Sequence, residues 1–336
     1  MTNIGVMDLE LFKEILQIDS TSGKERELAE FLTCRLKTDN NTVERYEVGD
    51  GTLNLLFSWG NPKLFFCTHL DTVPPYIPPV FEDGKVMGRG SCDAKGQIFS
   101  MFTACRQLEK EGIKDFALLL LAGEETGSFG AKAYTRDCPG GELVVVGEPT
   151  DNYMVSSAKG TRSFQVKIKG KSCHSGYPER GISAVERFVD FVNKLRTAEF
   201  KDDNILGKTT YNIGKLISEN PQNVLSPEVS FRIYFRTTFE SHDSVIAFMN
   251  RMKNEYTEIE DFGGDTPMHF TTFEGIPQKP VAFGSDAPQL HKFTHKSLCG
   301  PGSIFTAHTD GEYVLIADIE KAVRQYIAIA KQVLTR

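Results

Sequence analysis

Apolar residues in the first part of the chain follow two alternating rhythms. Helical spacing marks residues 8–17, 22–37 and 98–108, the last with apolar positions at 98, 101, 102, 105 and 108. Between them lie short unbroken apolar runs at 53–58, 64–68, 116–122 and 143–147. Strands apolar on both faces and separated by helices predict an α/β domain whose sheet is covered on both sides. Ser22 and Glu25 have the spacing of a capping box for the second helix.

The texture changes near Gly160. Phe164, Val166 and Ile168 alternate with polar residues, as in a strand with one solvated face. A helix follows at 182–195, strands at 209–217 and 228–237, a second helix at 241–254 and a last strand at 268–273. The order β-α-β-β-α-β is the ferredoxin-like arrangement. The chain then closes on a helix with the stripe Ile319, Val323, Tyr326, Ile327, Ala330, Val333 and Leu334, for which Asp318 is the expected N-cap. The predicted organisation is a discontinuous α/β domain, 1–160 with 275–336, carrying an inserted domain at 161–274.

Composition narrows the function. The 336 residues carry a formal net charge of −7, unsuited to binding phosphate backbones, so no nucleic-acid partner is expected. No apolar run approaches the roughly 18 residues of a membrane helix, and MTNIGVMDLELFKEI lacks the features of a signal peptide. Seven cysteines, an odd number with no CxxC pair, point to reduced thiols and a cytoplasmic location.

Five separated segments are rich in metal-ligand types. His69 and Asp71 stand at the end of an apolar run, where α/β sheets place active groups. Asp93 lies between glycines in GRGSCDAKG and, taken alone, reads as the cap of the helix that follows. Glu124 and Glu125 follow the run FALLLLA, and Glu148 follows the run ending at Val146. His308 closes the glycine-rich stretch GPGSIFTAH. Two imidazoles and three carboxylates, His69, Asp93, Glu125, Glu148 and His308, make a donor set that suits zinc. Adjacent side chains diverge, which leaves Glu124 free to act as a general base.

Taken in order, THLDTVP, GRGSCDAKG, GEETGSFGA, GEP, GKSCHSGYP and GPGSIFTAH resemble the metallopeptidase family that includes acetylornithine deacetylase, succinyl-diaminopimelate desuccinylase, aminoacylase-1 and carboxypeptidase G. The likeness spans nearly the whole chain. It implies a two-zinc, aminopeptidase-like catalytic domain with an inserted lid and dimerisation domain, cobalt or manganese being able to replace zinc. His69, Asp93 and Glu148 would hold one ion, and Asp93, Glu125 and His308 the other, with Asp93 bridging. Asp71 would orient His69, Glu124 would be the base, and the Asp93–Ala94 peptide would be cis. His174 would reach the active site of the partner subunit in a homodimer. Arg236 would bind the substrate α-carboxylate, with Asn223 and Gly302 as further substrate contacts. Tyr234 departs from the family pattern, which often has an aspartate there. GPGSI, Glu312-Tyr313 and Phe283–Ala287 look most like the acetylornithine-deacetylase branch. The implied reaction is amide hydrolysis of an N-acyl amino acid, N-acetylornithine or an acylated citrulline, in arginine biosynthesis. Alternatives are a dipeptidase, carboxypeptidase or desuccinylase of the same family. An inactive binding module is a further alternative, against which stands the presence of all five ligands and the base.

Overall fold

Parallel strands that are apolar on both faces need cover on both sides, and the chain supplies it. The computed structural model describes residues 7–49 and 51–335; residues 1–6, part of the segment searched for a leader, lie outside them. Two units are present. The first gathers the chain up to Ser156, Phe270–Lys279 and everything from 285 onward. Its six-stranded sheet runs in the order Thr42–Gly49, Thr52–Trp59, Phe116–Leu121, Leu64–His69, Leu143–Val146, His295–Leu298. The last four strands are mutually parallel and the first two are antiparallel additions.

Successive side chains of a strand point to opposite faces, and Phe65 and Phe66 show what meets each. The ring of Phe66 packs edge-on against Tyr326 of the helix Ile316–Leu334. The ring of Phe65 meets Phe293, which stacks on Tyr134 of the helix Phe129–Asp137. The helix Lys95–Lys110 packs beside Ile316–Leu334 and against the central strands. Among the described residues no helix is long and apolar enough to cross a membrane. All seven cysteines are free thiols, five of them buried.

The second unit comprises Ser157–His269 and Pro280–Gly284, beginning four residues before the expected 161 and taking in a segment beyond 274. Its antiparallel sheet is ordered Thr210–Ile217, Glu228–Thr237, Gly160–Lys169, Thr257–Gly263, with helices Ala184–Arg196 and His242–Arg251. This is the β-α-β-β-α-β order. Val229, Phe231, Ile233 and Phe235 alternate inward onto Phe191, Leu195, Val245 and Met249, so both helices cover one face.

Four expectations are corrected. The last strand of the inserted sheet is Thr257–Gly263, not 268–273. Only Thr257 and Ile259 of that strand turn inward, between Glu258 and Glu260, too little apolar content to read as a strand. Met268–His269 pairs instead with Ser157 and Ala158. Ser22 does not cap the second helix, which starts at Glu25 behind Lys24 with no side-chain cap. The final helix starts at Ile316, so Asp318 lies in its first turn and Leu315 is the N-cap. Asp93 is no cap either, since the helix Lys95–Lys110 follows Ala94 without a side-chain cap bond.

Leu118 is fully buried at the centre of the strand Phe116–Leu121. Leu118→Ala is expected to destabilise the first unit by about 2–5 kcal/mol, read as a lower urea midpoint in metal-free protein.

Candidate metal centre

Sheet topology does most of the assembly. The strands Phe116–Leu121, Leu64–His69 and Leu143–Val146 are adjacent and parallel, so their C-terminal ends lie side by side. His69 is the last residue of one, Glu124 and Glu125 follow the second, and Glu148 follows the third. A carboxyl edge of this kind is where open α/β sheets bind ligands. Asp93 comes from the loop before the helix Lys95–Lys110, across a cis Asp93–Ala94 peptide. His308 comes from a loop more than 150 residues further along and has a left-handed backbone, φ 64°.

Asp93 presents one oxygen to each histidine. Its Oδ1 lies 3.0 Å from His69 Nε2 and its Oδ2 3.3 Å from His308 Nε2. Glu125 Oε1 is 2.8 Å from the same His308 nitrogen. Ligand atoms of His69, Asp93 and Glu148 lie within 4.8 Å of one another, as do those of Asp93, Glu125 and His308. Donor atoms around a tetrahedral zinc, with bonds of 2.0–2.2 Å, stand roughly 3.4 Å apart, so both triads match its span. Glu124 joins a third overlapping set with His69 and Glu125.

The supporting bonds are specific. Asp71 Oδ1 accepts the Glu124 N–H at 3.0 Å, and Oδ2 accepts the Glu125 N–H at 3.2 Å and the Ser22 hydroxyl at 2.9 Å. The Ser22 side chain is spent there, which is why it caps no helix. His69 Nδ1 lies 2.9 Å from the backbone carbonyl of Asp71 and 3.4 Å from its carboxylate. The 122–130 loop is closed by Asn54, which accepts the Ala122 N–H and donates to the Gly130 carbonyl, each at 2.9 Å. A Cβ on Gly130 would sit 2.2 Å from the Ala122 oxygen, so only glycine fits. Gly302, at φ 78°, has the same restriction, because a Cβ there would approach Cys92 Sγ to 2.5 Å.

The charges fit bound cations. Among the described residues no lysine or arginine pairs with Asp93, Glu124, Glu125 or Glu148. Glu148 Oε1 and Asp286 Oδ1 are buried with no hydrogen-bond partner. Burial, reinforced by neighbouring carboxylates, pushes Glu124 and Glu148 well above the usual range. Burial also lifts Asp93, but its bonds to His308 and His69 outweigh this and hold it low. Burial lowers His69, yet Asp71 and Asp93 raise it well above its ordinary value. Asp93 and Glu125 carry His308 up to about 10. The same carboxylates that raise both imidazoles would be satisfied by a divalent ion, whose binding displaces protons from its ligands. The residues present fit a pair of ions sharing Asp93.

Asp286 went unnoticed as a site residue, since in sequence it serves only as a branch marker; burial lifts it to about 6. The remaining candidates belong to the inserted unit. His174 bridges to Val224, and Ser175 N–H bonds the Asn223 carbonyl at 2.9 Å, so His174 and Asn223 are neighbours. His174 Nδ1 accepts the Gly176 N–H at 3.1 Å in an exposed loop. The Arg236 guanidinium lies over the Tyr234 ring at 5.0 Å and pairs with no acid among the described residues.

The model of peptidase family M20/M25/M40 matches residues 65–332. A peptidase M20 domain-containing protein of Schizosaccharomyces pombe is 31% identical over 330 residues, covering 95% of this chain and 82% of that one. A probable carboxypeptidase of Emericella nidulans is 30% identical, over 98% of this chain and 90% of its own. Among solved structures, a tripeptidase from Staphylococcus aureus superposes with a TM-score of 0.82 at 20% identity, with 98% of each chain covered. The matched span takes in both triads and the inserted unit, and the chain belongs to peptidase family M20/M25/M40, as a metal-dependent hydrolase.

Proposed function

We propose that the chain hydrolyses the amide bond of an N-acyl amino acid, with N-acetylornithine or an acetylated or succinylated citrulline as the preferred substrate. The observation that carries the reading is the Asp93 carboxylate, facing His69 with one oxygen and His308 with the other. In this proposal His69, Asp93 and Glu148 hold one zinc ion and Asp93, Glu125 and His308 the other. The bound ions would supply Lewis acidity, polarising the scissile carbonyl and acidifying water.

Glu124 is the proton carrier. It is half-buried, pairs with no lysine or arginine among the described residues and has its proton affinity raised, so it can take a proton from water and return it to the leaving amine. Asp71 fixes the backbone from which Glu124 projects. Arg236, lacking an acid of its own, takes the substrate α-carboxylate in bidentate fashion. Asn223 and Gly302 contact the substrate, and His174 serves the active site of a second subunit. A homodimer through the inserted unit is supported by its exposed edge strand Thr210–Ile217, where Tyr211, Leu216 and Ile217 are open to solvent. Val185 and Val189 of Ala184–Arg196 are exposed as well.

A second reading, peptide hydrolysis, is favoured by relatives named carboxypeptidase and tripeptidase. The two share one chemistry, because the C-terminal residue of a peptide is itself an N-acyl amino acid with a free carboxylate. Acyl release from N-acetylornithine, N-acetylcitrulline and N-succinylcitrulline, set beside a panel of di- and tripeptides with and without added zinc, separates them. Zinc-dependent turnover of the acylated substrates is the expected result; turnover of peptides alone replaces the deacylase reading with the second one.

Glu124→Gln should keep two equivalents of metal while losing at least about 10²–10⁴-fold in kcat; near-normal kcat would remove Glu124 from its role. Arg236→Met should raise KM far more than it lowers kcat, and should lose discrimination between a free substrate carboxylate and its amide. Equal kinetics on acid and amide in the unaltered protein would rule out Arg236 as the carboxylate site.

A further inference from the structure

Asp93 and His308 stand on loops 215 residues apart in sequence. The antiparallel pair Lys85–Met87 and Tyr313–Leu315 joins the flanks of those loops, and the loops themselves are tied by Glu312. Its side chain is buried, and one oxygen, Oε1, accepts three backbone N–H groups of the Asp93 loop, from Gly90 at 2.9 Å, Cys92 at 3.1 Å and Asp93 at 3.1 Å. The other oxygen lies 2.6 Å from Arg89 Nη1, itself buried. Arg89 Nη1 also donates to the Thr309 carbonyl, the residue after His308, at 3.2 Å. The Glu312 N–H returns to that same carbonyl at 3.3 Å, and its own carbonyl accepts the Gly88 N–H at 3.0 Å. One carboxylate thus ties the loop of Asp93 to the turn that follows His308.

Fold stability alone does not account for such a pair. A buried ion pair is often no better for stability than apolar side chains of the same volume, whereas charge-assisted bonds from three donors of one loop fix a backbone closely.

We propose that Glu312, with Arg89, is a positioning residue for the metal ion held by Asp93, Glu125 and His308. It sets the spacing of the two loops that supply that ion. His69 and Glu148 are placed by strand ends, so the ion at His69, Asp93 and Glu148 shares only Asp93 with the clamped loops and is affected less. The inference rests on the two-ion reading of the centre.

The test is calorimetric titration of chelator-stripped protein with zinc and with cobalt, the cobalt titration also followed by visible absorption. Wild type should take two equivalents. Glu312→Gln, its fold checked by circular dichroism and melting without metal, should lose less affinity for the first equivalent than for the second. The second should be weakened about 10- to 100-fold, the usual cost of removing an outer-shell partner, with a changed cobalt spectrum for that equivalent alone. Arg89→Lys, which retains both charges and loses the planar guanidinium with its Nε bond to the Pro75 carbonyl, should show a smaller loss of the same equivalent. It supplies the answer if Glu312→Gln does not fold. Two equivalents of unchanged affinity, or equal weakening of both, would overturn the clamp. Wild type taking a single equivalent would overturn the two-ion reading, and the selectivity of the clamp with it.

Discussion

With an imidazole nitrogen about 3 Å from each of its oxygens, the Asp93 carboxylate sits where the protein concentrates negative charge and withholds solvent. Glu124, Glu125 and Glu148 crowd around it without an arginine or lysine among them. Two like charges about 4 Å apart repel by roughly 4 kcal/mol at an effective dielectric of 20. Several such pairs cannot all stay ionised without cations. Protons on the histidines and glutamates provide one solution, divalent ions the other, and only the second leaves the imidazoles free as ligands. The rest of the unit serves that constraint: a parallel sheet to aim strand ends at one point, Asp71 to hold the Glu124–Glu125 backbone, and Asn54 to close the loop behind it.

Much of this was legible in the sequence because continuous apolar runs announce buried parallel strands, and the chemistry stands immediately after them. His69, Glu124, Glu125 and Glu148 could be found by looking just past each run. Asp93 was harder, since an aspartate before a helix is ordinarily a cap; its freedom from that role is visible only once His69 and His308 stand opposite its two oxygens. The Ser22–Glu25 spacing misled for the complementary reason. A local pattern predicted a local bond, and a residue 49 positions away took the hydroxyl instead.

What stayed hidden is what sequence proximity does not encode. Arg89 and Glu312 are separated by 223 residues and share no periodic pattern. The strand Thr257–Gly263 was lost because it fills its inward positions with one threonine and one isoleucine and faces outward with acids. Asp71 shows how a residue's bonds can differ from those its sequence position suggests: its backbone carbonyl is closer to His69 than its carboxylate is, and the carboxylate mainly receives the N–H groups of Glu124 and Glu125.

The discontinuity of the first unit imposes an order on synthesis. A ribosome delivers His69, Asp93, Glu125 and Glu148 before the inserted unit has emerged, and His308 only after it. The strand His295–Leu298 is equally late, so until it emerges Leu143–Val146 presents an open parallel edge. The inserted unit has a hydrophobic core of its own, and its four-stranded sheet is complete by Gly263. A nascent chain is therefore exposed for longest at the very strand whose end carries Glu148, and the arrival of residues 295–308 both seals that edge and brings His308 to Asp93.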